Sequence, residues 1–454
     1  MIKIDESIFK AYDIRGIYPS QLDEKTAYEL GRGYATFILK ENSKAKNIVV
    51  GSDMRISSPS LKKELIRGII DSGLNVIDVG LVSTPTFYFA VGFYGYDGGI
   101  QVSASHNPKE YNGFKMVKEK SLPISKDTGI IEIKNIILDG SFVESEKKGE
   151  VIEKENVLDD LAADQFSDLD ISGIKKFKIV IDAANSMGAL DMEEFFEKVP
   201  AELVRVNFEL DGNFPSHEAD PLKEENLELL KQKVIETGAD FGISPDGDGD
   251  RYFFVDEKGN SLRQEILRGI MAQIELSDHQ GATVCYDIRP GRITKDMIDE
   301  MGGKSIITPV GHSLIKEIMI KNDAIFGGES SGHYFYRKSY GTFEMPFVLV
   351  AKFLKFLSEK NAPFSEIVKP YKKYFHSGEI NFKVDSVQEK MEEIERIYGD
   401  GKIIKLDGVT VEYPDWWFNL RGSNTEPVIR LNLEAKTKEI MEEKVKEVSG
   451  VLKK

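Results

Sequence analysis

Cysteine is almost absent. Cys285 stands alone in 454 residues, so no intramolecular disulfide can form and the cysteine-rich secreted scaffolds are excluded. Long apolar runs are also missing: none approaches the roughly 18 residues needed to span a bilayer. The opening MIKIDESIFKAYDIRG carries charges too early for a signal peptide. Positive charge is in the minority, 60 Lys+Arg against 76 Asp+Glu, for a formal charge of −16. Binding to a phosphate backbone needs concentrated positive charge, which argues against nucleic acid as the main partner. A small anionic ligand stays open, because it feels a few cations inside a pocket rather than the global sum. No G-x-G-x-x-G occurs, so dinucleotide binding has no support. Gly303-Lys304-Ser305 only imitates the end of a P-loop, since Ile298 stands where that motif begins with glycine. What is present suits packed cores: 41% hydrophobic and 10% aromatic residues exclude wholesale disorder. At roughly 150 residues per domain the length implies about three domains. The expectation is a cytoplasmic, multi-domain globular protein without a membrane partner.

The chain repeats a plan. Three times a β-branched run ends in a polar loop and passes into a helix-like stretch: IVVGSDMRISSPSL from Ile48, KIVIDAANSMGAL from Lys178 and TVCYDIRPGRIT from Thr283. Each is followed by a second strand-like run (LNVIDVGL, AELVRVNF, GKSIITPV) and then a third (GGIQVSASHNP, ADFGISPDGDGDR, DAIFGGESSGHY). Apolar runs alternating with helical patterns predict parallel or mixed sheets covered by helices, hence three related α/β domains. The polar stretch around 138–157 reads as a surface crossing between the first two, and VDEKGNSLRQ as a turn before a helix. Past KPYKKYFHSGE the pattern becomes that of a smaller α+β domain with an amphipathic helix, several strands and a closing helix. The boundaries drawn are 1–152, 153–256, 257–372 and 373–454.

Ligands of open α/β sheets bind outside the carboxyl ends of strands, and there each third run ends in a loop dense with chemistry. In Ser103-Ala-Ser105-His106-Asn107-Pro108, neighbouring side chains on an extended backbone point apart. Ser105 and His106 are therefore poorly placed as nucleophile and base, and no G-x-S-x-G elbow exists. A serine carrying a phosphoryl group fits better; an ordinary Ser/Asn/Pro turn is the plain alternative. In Asp246-Gly-Asp248-Gly-Asp250-Arg251, alternating carboxylates on a glycine-permitted backbone can converge on a hard cation such as Mg²⁺. An EF-hand is excluded because Arg251 occupies the position that loop reserves for glycine. A metal-free acidic turn is the alternative, although clustered carboxylates repel unless something neutralises them. In Gly327-Gly328-Glu329-Ser330-Ser331-Gly332-His333, Glu329 and Ser331 suit sugar hydroxyls, and His333 can exchange a proton near neutral pH. His312 opens a predicted helix. A fourth loop, Arg421-Gly422-Ser423-Asn424-Thr425-Glu426-Pro427, combines a guanidinium, small hydroxyls and a glycine turn, the elements of a phosphate cradle.

In this order and spacing, from Phe9-Lys-Ala-Tyr-Asp-Ile-Arg15-Gly16 to Arg421-Gly-Ser-Asn-Thr-Glu-Pro427, the loops resemble the α-D-phosphohexomutase superfamily, closest to its phosphomannomutase/phosphoglucomutase branch. The resemblance implies three α/β domains and one smaller domain around a central cleft, each giving it one loop. It implies that Ser105 is the phosphoserine and that Asp246, Asp248 and Asp250 hold Mg²⁺ together with its phosphate. Glu329 and Ser331 match sugar contacts; Arg421, Ser423, Asn424 and Thr425 match the phosphate loop. Lys115 and His333 match the acid/base candidates, and Tyr12, Arg15, Arg251 and His312 further active-site positions. The implied reaction interconverts hexose 6-phosphate and hexose 1-phosphate, of mannose or glucose, primed by a hexose 1,6-bisphosphate. Departures exist. Thr342-Phe343-Glu344-Met345 replaces a common Asp-Asp-Gly stretch, and Arg289 stands where the branch commonly has lysine, which keeps the charge but changes the geometry. Ser330 differs from the glutamine typical of the glucosamine branch. Phosphoglucosamine mutase, a metal-dependent sugar-phosphate phosphatase and a sugar-phosphate binder without turnover remain as rivals, and monomer and homo-oligomer are equally open.

Overall fold

In the computed structural model, residues 4–289, 291–422 and 428–453 are described. They form two compact units. The first comprises 1–262 and 331–365, the second 263–330 and 366–454.

The first sheet has six strands: β1 (Ile14–Ile17), β2 (Asn47–Ser52), β3 (Asn75–Leu81), β4 (Gly98–Val102), β5 (Tyr111–Lys118) and β6 (Val151–Glu153), in the order β1-β5-β4-β2-β3-β6. β2 runs parallel to β3 and β4, whereas β5 is antiparallel to β4 and β1 to β5. The Ile48–Val50 stretch of β2 is buried on both faces, as its unbroken β-branched run predicts for a covered central strand. Helix Glu24–Glu41 covers the sheet; its N-cap Asp23 accepts from the Thr26 N–H, and Leu30, Tyr34, Phe37 and Ile38 enter the core shared with Leu61, Leu65 and Ile69. The stretch around 138–157, expected as a plain crossing, contains β6, which pairs in parallel with the edge of β3. Its three residues are all exposed, so no burial pattern marks it in the sequence.

The next sheet contains β7 (Phe177–Asp182), β8 (Ala201–Val206), β9 (Phe241–Pro245) and β10 (Tyr252–Asp256), in the order β10-β9-β7-β8. β7 is parallel to β8 and β9, and β10 returns antiparallel. In the second unit β11 (Thr283–Asp287) lies parallel to β12 (Lys304–Thr308) on one side and β13 (Phe326–Gly328) on the other. The three repeats thus share one order: the first strand sits between the second and the third. That order brings the loops after first and third strands side by side.

The chain then returns to the first unit with the antiparallel pair β14 (Tyr334–Lys338) and β15 (Gly341–Glu344) and the helix Pro346–Lys360. The tail is an antiparallel sheet of β16 (Phe375–Lys383), β17 (Lys402–Ile404), β18 (Val409–Glu412), β19 (Trp416–Gly422) and β20 (Val428–Ala435), in the order β16-β20-β19-β18-β17. Helices Val387–Ile397 and Lys438–Leu452 pack on it around Phe418, Leu431 and Leu433. This is the α+β plan expected of that segment.

Candidate active site

The loops after β4 and β9 meet in the first unit. Ser105 adopts φ +51, the left-handed region that non-glycine residues seldom enter. Its Oγ donates to Asp246 Oδ2 at 3.0 Å across 141 positions of sequence, and accepts from Arg251 Nη2 at 3.1 Å. Close approach explains the glycine at 247: a Cβ there would lie 2.3 Å from the Ser105 carbonyl oxygen. The left-handed turn also corrects an expectation. Ser105 and His106 do not point apart; Ser105 Oγ lies 3.2 Å from His106 Nδ1 because the backbone is not extended. That nitrogen already takes a hydrogen bond from Arg251 Nη2. Burial, then the Arg251 and Arg15 charges, hold the imidazole well below its ordinary pKa, so it is neutral and occupied rather than a free base.

Asp246, Asp248 and Asp250 are all buried, with one carboxylate oxygen of each within 4.8 Å of the others. Lys115, on β5, donates to Asp248 Oδ2 at 2.6 Å and to Asp250 Oδ2 at 2.5 Å. The Thr84 hydroxyl also donates to Asp248 Oδ2. Asp246 Oδ1 accepts from the N–H groups of Asp250 and Arg251 at 3.1 and 3.2 Å, and its Oδ2 from Arg251 Nε at 2.9 Å. Burial pushes the Asp246 carboxyl up to about 7, despite Arg251. Against the same burial, Lys115, His333 and Arg251 hold Asp250 well below the carboxylate range, while Asp248 and Asp250 hold Lys115 well above the ordinary ammonium value. Asp248 Oδ1 and Asp250 Oδ1 are buried without a hydrogen-bond partner among the described residues. Three converging carboxylates with two uncommitted oxygens fit a hard divalent cation such as Mg²⁺.

His333 bridges to Arg251 at the backbone. Its Nδ1 lies 3.1 Å from Glu344 Oε1 and 3.6 Å from Asp250 Oδ1. Against the cost of burial, those two carboxylates raise its pKa. The Asp250–His333–Glu344 group is a second cluster of ligating type sharing Asp250. Glu344 was visible in the sequence only as a departure from Asp-Asp-Gly; its partner lies 11 residues away on the neighbouring strand. Arg15, on β1, donates to Asn107 Oδ1 and pairs with Asp13, and Tyr12 lies in the bend just before that strand.

The second unit holds Arg289, His312, Glu329 and Arg421. Arg289 donates to Asp287 Oδ2 and, at 3.0 Å, to Glu329 Oε1, which also accepts from the Gly311 N–H at 3.1 Å. His312 is the first residue of helix His312–Lys321. Arg268, fully buried, donates to Asp287 Oδ1 at 2.5 Å and to Ser330 Oγ at 3.1 Å. Arg421 lies near Glu379 at 3.3 Å and Asp407 at 3.7 Å. Ser423, Asn424 and Thr425 lie outside the described residues. Ser331 belongs to the first unit, one residue beyond the boundary.

Comparison with known proteins agrees with this construction. The phosphoglucomutase/phosphomannomutase alpha/beta/alpha domains I, II and III match residues 6–144, 158–259 and 265–374, and the C-terminal domain of the same family matches 379–451. A phosphomannomutase of Methanocaldococcus jannaschii is 40% identical over 99% of this chain and 98% of its own. One of Vibrio cholerae serotype O1 is 39% identical over 98% of each chain. The crystal structure of a phosphoglucomutase/phosphomannomutase family protein from Burkholderia thailandensis superposes with a TM-score of 0.90 at 31% identity, covering 98% of this chain and 97% of that one. These relatives make the chain an isomerase of the phosphomannomutase/phosphoglucomutase class. The chain belongs to the phosphoglucomutase/phosphomannomutase family.

Proposed function

We propose that the protein interconverts hexose 6-phosphates and hexose 1-phosphates of mannose, glucose or both, with Ser105 as the phosphoryl carrier. The observation that carries this reading is the Ser105 hydroxyl set 3.0 Å from Asp246, beside three converging buried carboxylates. Asp246, Asp248 and Asp250 would hold Mg²⁺, and the ion, when bound, offsets charge on the phosphoryl oxygens. The Ser105 Oγ–P bond breaks as the free hydroxyl of a sugar monophosphate forms the new O–P bond, and the hydroxyl proton passes by way of the proton-handling residues to the Oγ left behind. The hexose 1,6-bisphosphate turns over and returns its other phosphoryl group to Ser105 Oγ. Phosphoryl transfer is won mainly by positioning and charge stabilisation, and Arg251, donating to Ser105 Oγ, is placed for both. Lys115 and His333 are the proton-handling pair, Lys115 as a held cation and His333 as the group that titrates closer to neutrality. Glu329, with Ser331 and His312, reads sugar hydroxyls, and Arg289 fixes the Glu329 carboxylate. Tyr12 and Arg15 stand beside the serine loop, and Arg421 with Ser423, Asn424 and Thr425 takes the non-reacting phosphate. A hexose 1,6-bisphosphate primes the enzyme. Among the described residues no helix is long and apolar enough to cross a membrane.

The test is isomerase activity on mannose, glucose and glucosamine 1-phosphates, each primed by its bisphosphate, with intact-mass measurement of the enzyme. Mannose or glucose turnover and a phosphate adduct that Ser105→Ala abolishes are expected, with activity down roughly 10³-fold or more in that variant. A clear glucosamine preference, or phosphate release outpacing isomerisation, would replace this reading with one of its rivals.

A further inference from the structure

The geometry points to Arg55 as the positioning residue that holds the Ser105 loop in its reactive conformation. Arg55 follows β2 in the stretch Ser52-Asp53-Met54-Arg55, and its side chain is wholly buried. Nη2 donates to the carbonyl oxygens of Ser105 at 2.8 Å and Asn107 at 2.5 Å; Nη1 donates to those of Pro108 at 2.8 Å and Tyr111 at 3.0 Å. Nε faces Asp53 Oδ2 at 3.3 Å. Four of the five N–H bonds of the guanidinium thus donate to the segment 105–111, while Nε makes only an ion-pair contact with Asp53 and no hydrogen bond among the described residues. Asp53 is itself fixed, its Oδ1 accepting from the Arg55 N–H at 3.0 Å and the Ser58 hydroxyl at 2.6 Å. The Phe214 ring lies 5.1 Å from the guanidinium carbon.

The distribution of these bonds separates a clamp from mere core filling. A buried guanidinium needs acceptors for its five N–H bonds and a carboxylate takes only two of them, so the place of the remaining acceptors is what tells. Here the acceptors are four carbonyls within residues 105–111, the segment that bears the nucleophile, and one of them belongs to Ser105, whose φ of +51 is costly for a residue with a Cβ. The Ser105 carbonyl, pinned between Arg55 and the Gly247 backbone, sets the direction in which Oγ leaves toward Asp246.

The third repeat places an arginine alike, but on carboxylates rather than carbonyls. There Asp287-Ile288-Arg289 follows the first strand, and Arg289 pairs with its own Asp287 and reaches Glu329 in the loop after the third strand. The second repeat has Asp182-Ala183-Ala184 at that place and ties its loops otherwise, with the Ser186 hydroxyl donating to the Asp246 carbonyl at 3.2 Å. An Asp-x-Arg after a first strand is thus a brace for the neighbouring third-strand loop, made possible by the shared strand order.

The inference rests on Ser105 being the phosphoryl carrier, and its test separates the two. Arg55→Lys and Arg55→Ala are compared with the wild type by hydrogen exchange of the 103–111 amides, by the rate of Ser105 phosphorylation from a hexose 1,6-bisphosphate, and by kcat and KM. Faster exchange centred on 103–111 is expected in both variants, since one ammonium cannot span four carbonyls. In Arg55→Ala, kcat and the phosphorylation rate should fall about 100-fold, the cost of a loop misplaced by an ångström. KM should change less than about threefold. Added methylguanidinium should restore kcat to Arg55→Ala and leave Arg55→Lys unchanged. Wild-type exchange at 103–111 in Arg55→Lys, a loss confined to KM, or a folded Arg55→Ala with no response to methylguanidinium would overturn the assignment. A wild-type enzyme that takes up no phosphate would instead sink the Ser105 reading, and the exchange data would still decide whether Arg55 is a clamp.

Discussion

At the scale of single residues, the site is a balance of buried charge. Lys115 sits between Asp248 and Asp250, and removing it strips buried Asp248 of the cation bonded to it and leaves Asp250 only the looser contacts with His333 and Arg251. Lys115→Met should therefore lower stability by about 3–5 kcal/mol, read from the urea midpoint. His217 makes a different case. Its Nε2 lies 3.0 Å from buried Asp182 and its Nδ1 2.9 Å from the Glu218 carbonyl. Burial opposes its protonation, but the Asp182 bond outweighs that and raises its pKa above the ordinary value of 6.5. A raised pKa contributes stability that is complete below about 6.5 and lost as pH climbs through the folded value. The melting-temperature gap between wild type and His217→Gln should accordingly be wider at pH 5.5 than at pH 8.5; an equal gap would mean the pair contributes nothing. Residue identity made Ser105 and the aspartates legible, because a serine among turn formers and alternating carboxylates are rare enough to suggest chemistry. Arg55 and Glu344 were illegible, since an arginine after a strand and a glutamate in a hairpin acquire meaning only from what they touch.

At the scale of elements, the strand order is the informative feature. Placing each first strand between its second and third brings two loops together at one sheet end, which is why the brace at Arg55 and that at Arg289 share a plan. The loop after β9 must approach the Ser105 carbonyl within a Cβ radius. Gly247→Ala should thus push the serine and acidic loops apart and reduce phosphorylation of Ser105 by roughly tenfold or more, seen as slower mass gain from the bisphosphate. Helix Glu24–Glu41 lies away from this chemistry, and its Asp23 cap bonds the Thr26 N–H at 2.8 Å. Asp23→Ala should cost about 1 kcal/mol in urea unfolding with kcat unchanged. Most elements could be read from period and β-branching. β6 could not, because an exposed three-residue edge carries no periodicity.

At the scale of the whole molecule, a chain of net charge −16 attracts an anionic substrate only through local cations. The mutase reading asks one phosphate cradle to serve both orientations of the sugar, so Arg421→Ala should weaken both isomers alike, by about 2 kcal/mol or roughly thirtyfold in KM. A loss confined to one isomer would contradict a shared cradle. The chain's path adds what no segment reveals: after 263–330 it rejoins the first unit at 331–365, which carries His333 and Glu344 to within 3.6 Å of Asp250 or of each other. By itself the sequence determined the repeated α/β plan, the loops that carry reactive groups and the family, because strand period, turn chemistry and side-chain type are local properties written residue by residue. Tertiary structure alone decided which carboxylates stay charged, why Ser105 faces Asp246 and which arginine holds it there. Those outcomes depend on burial and on distances between residues far apart in the chain, which only the packed sheets fix.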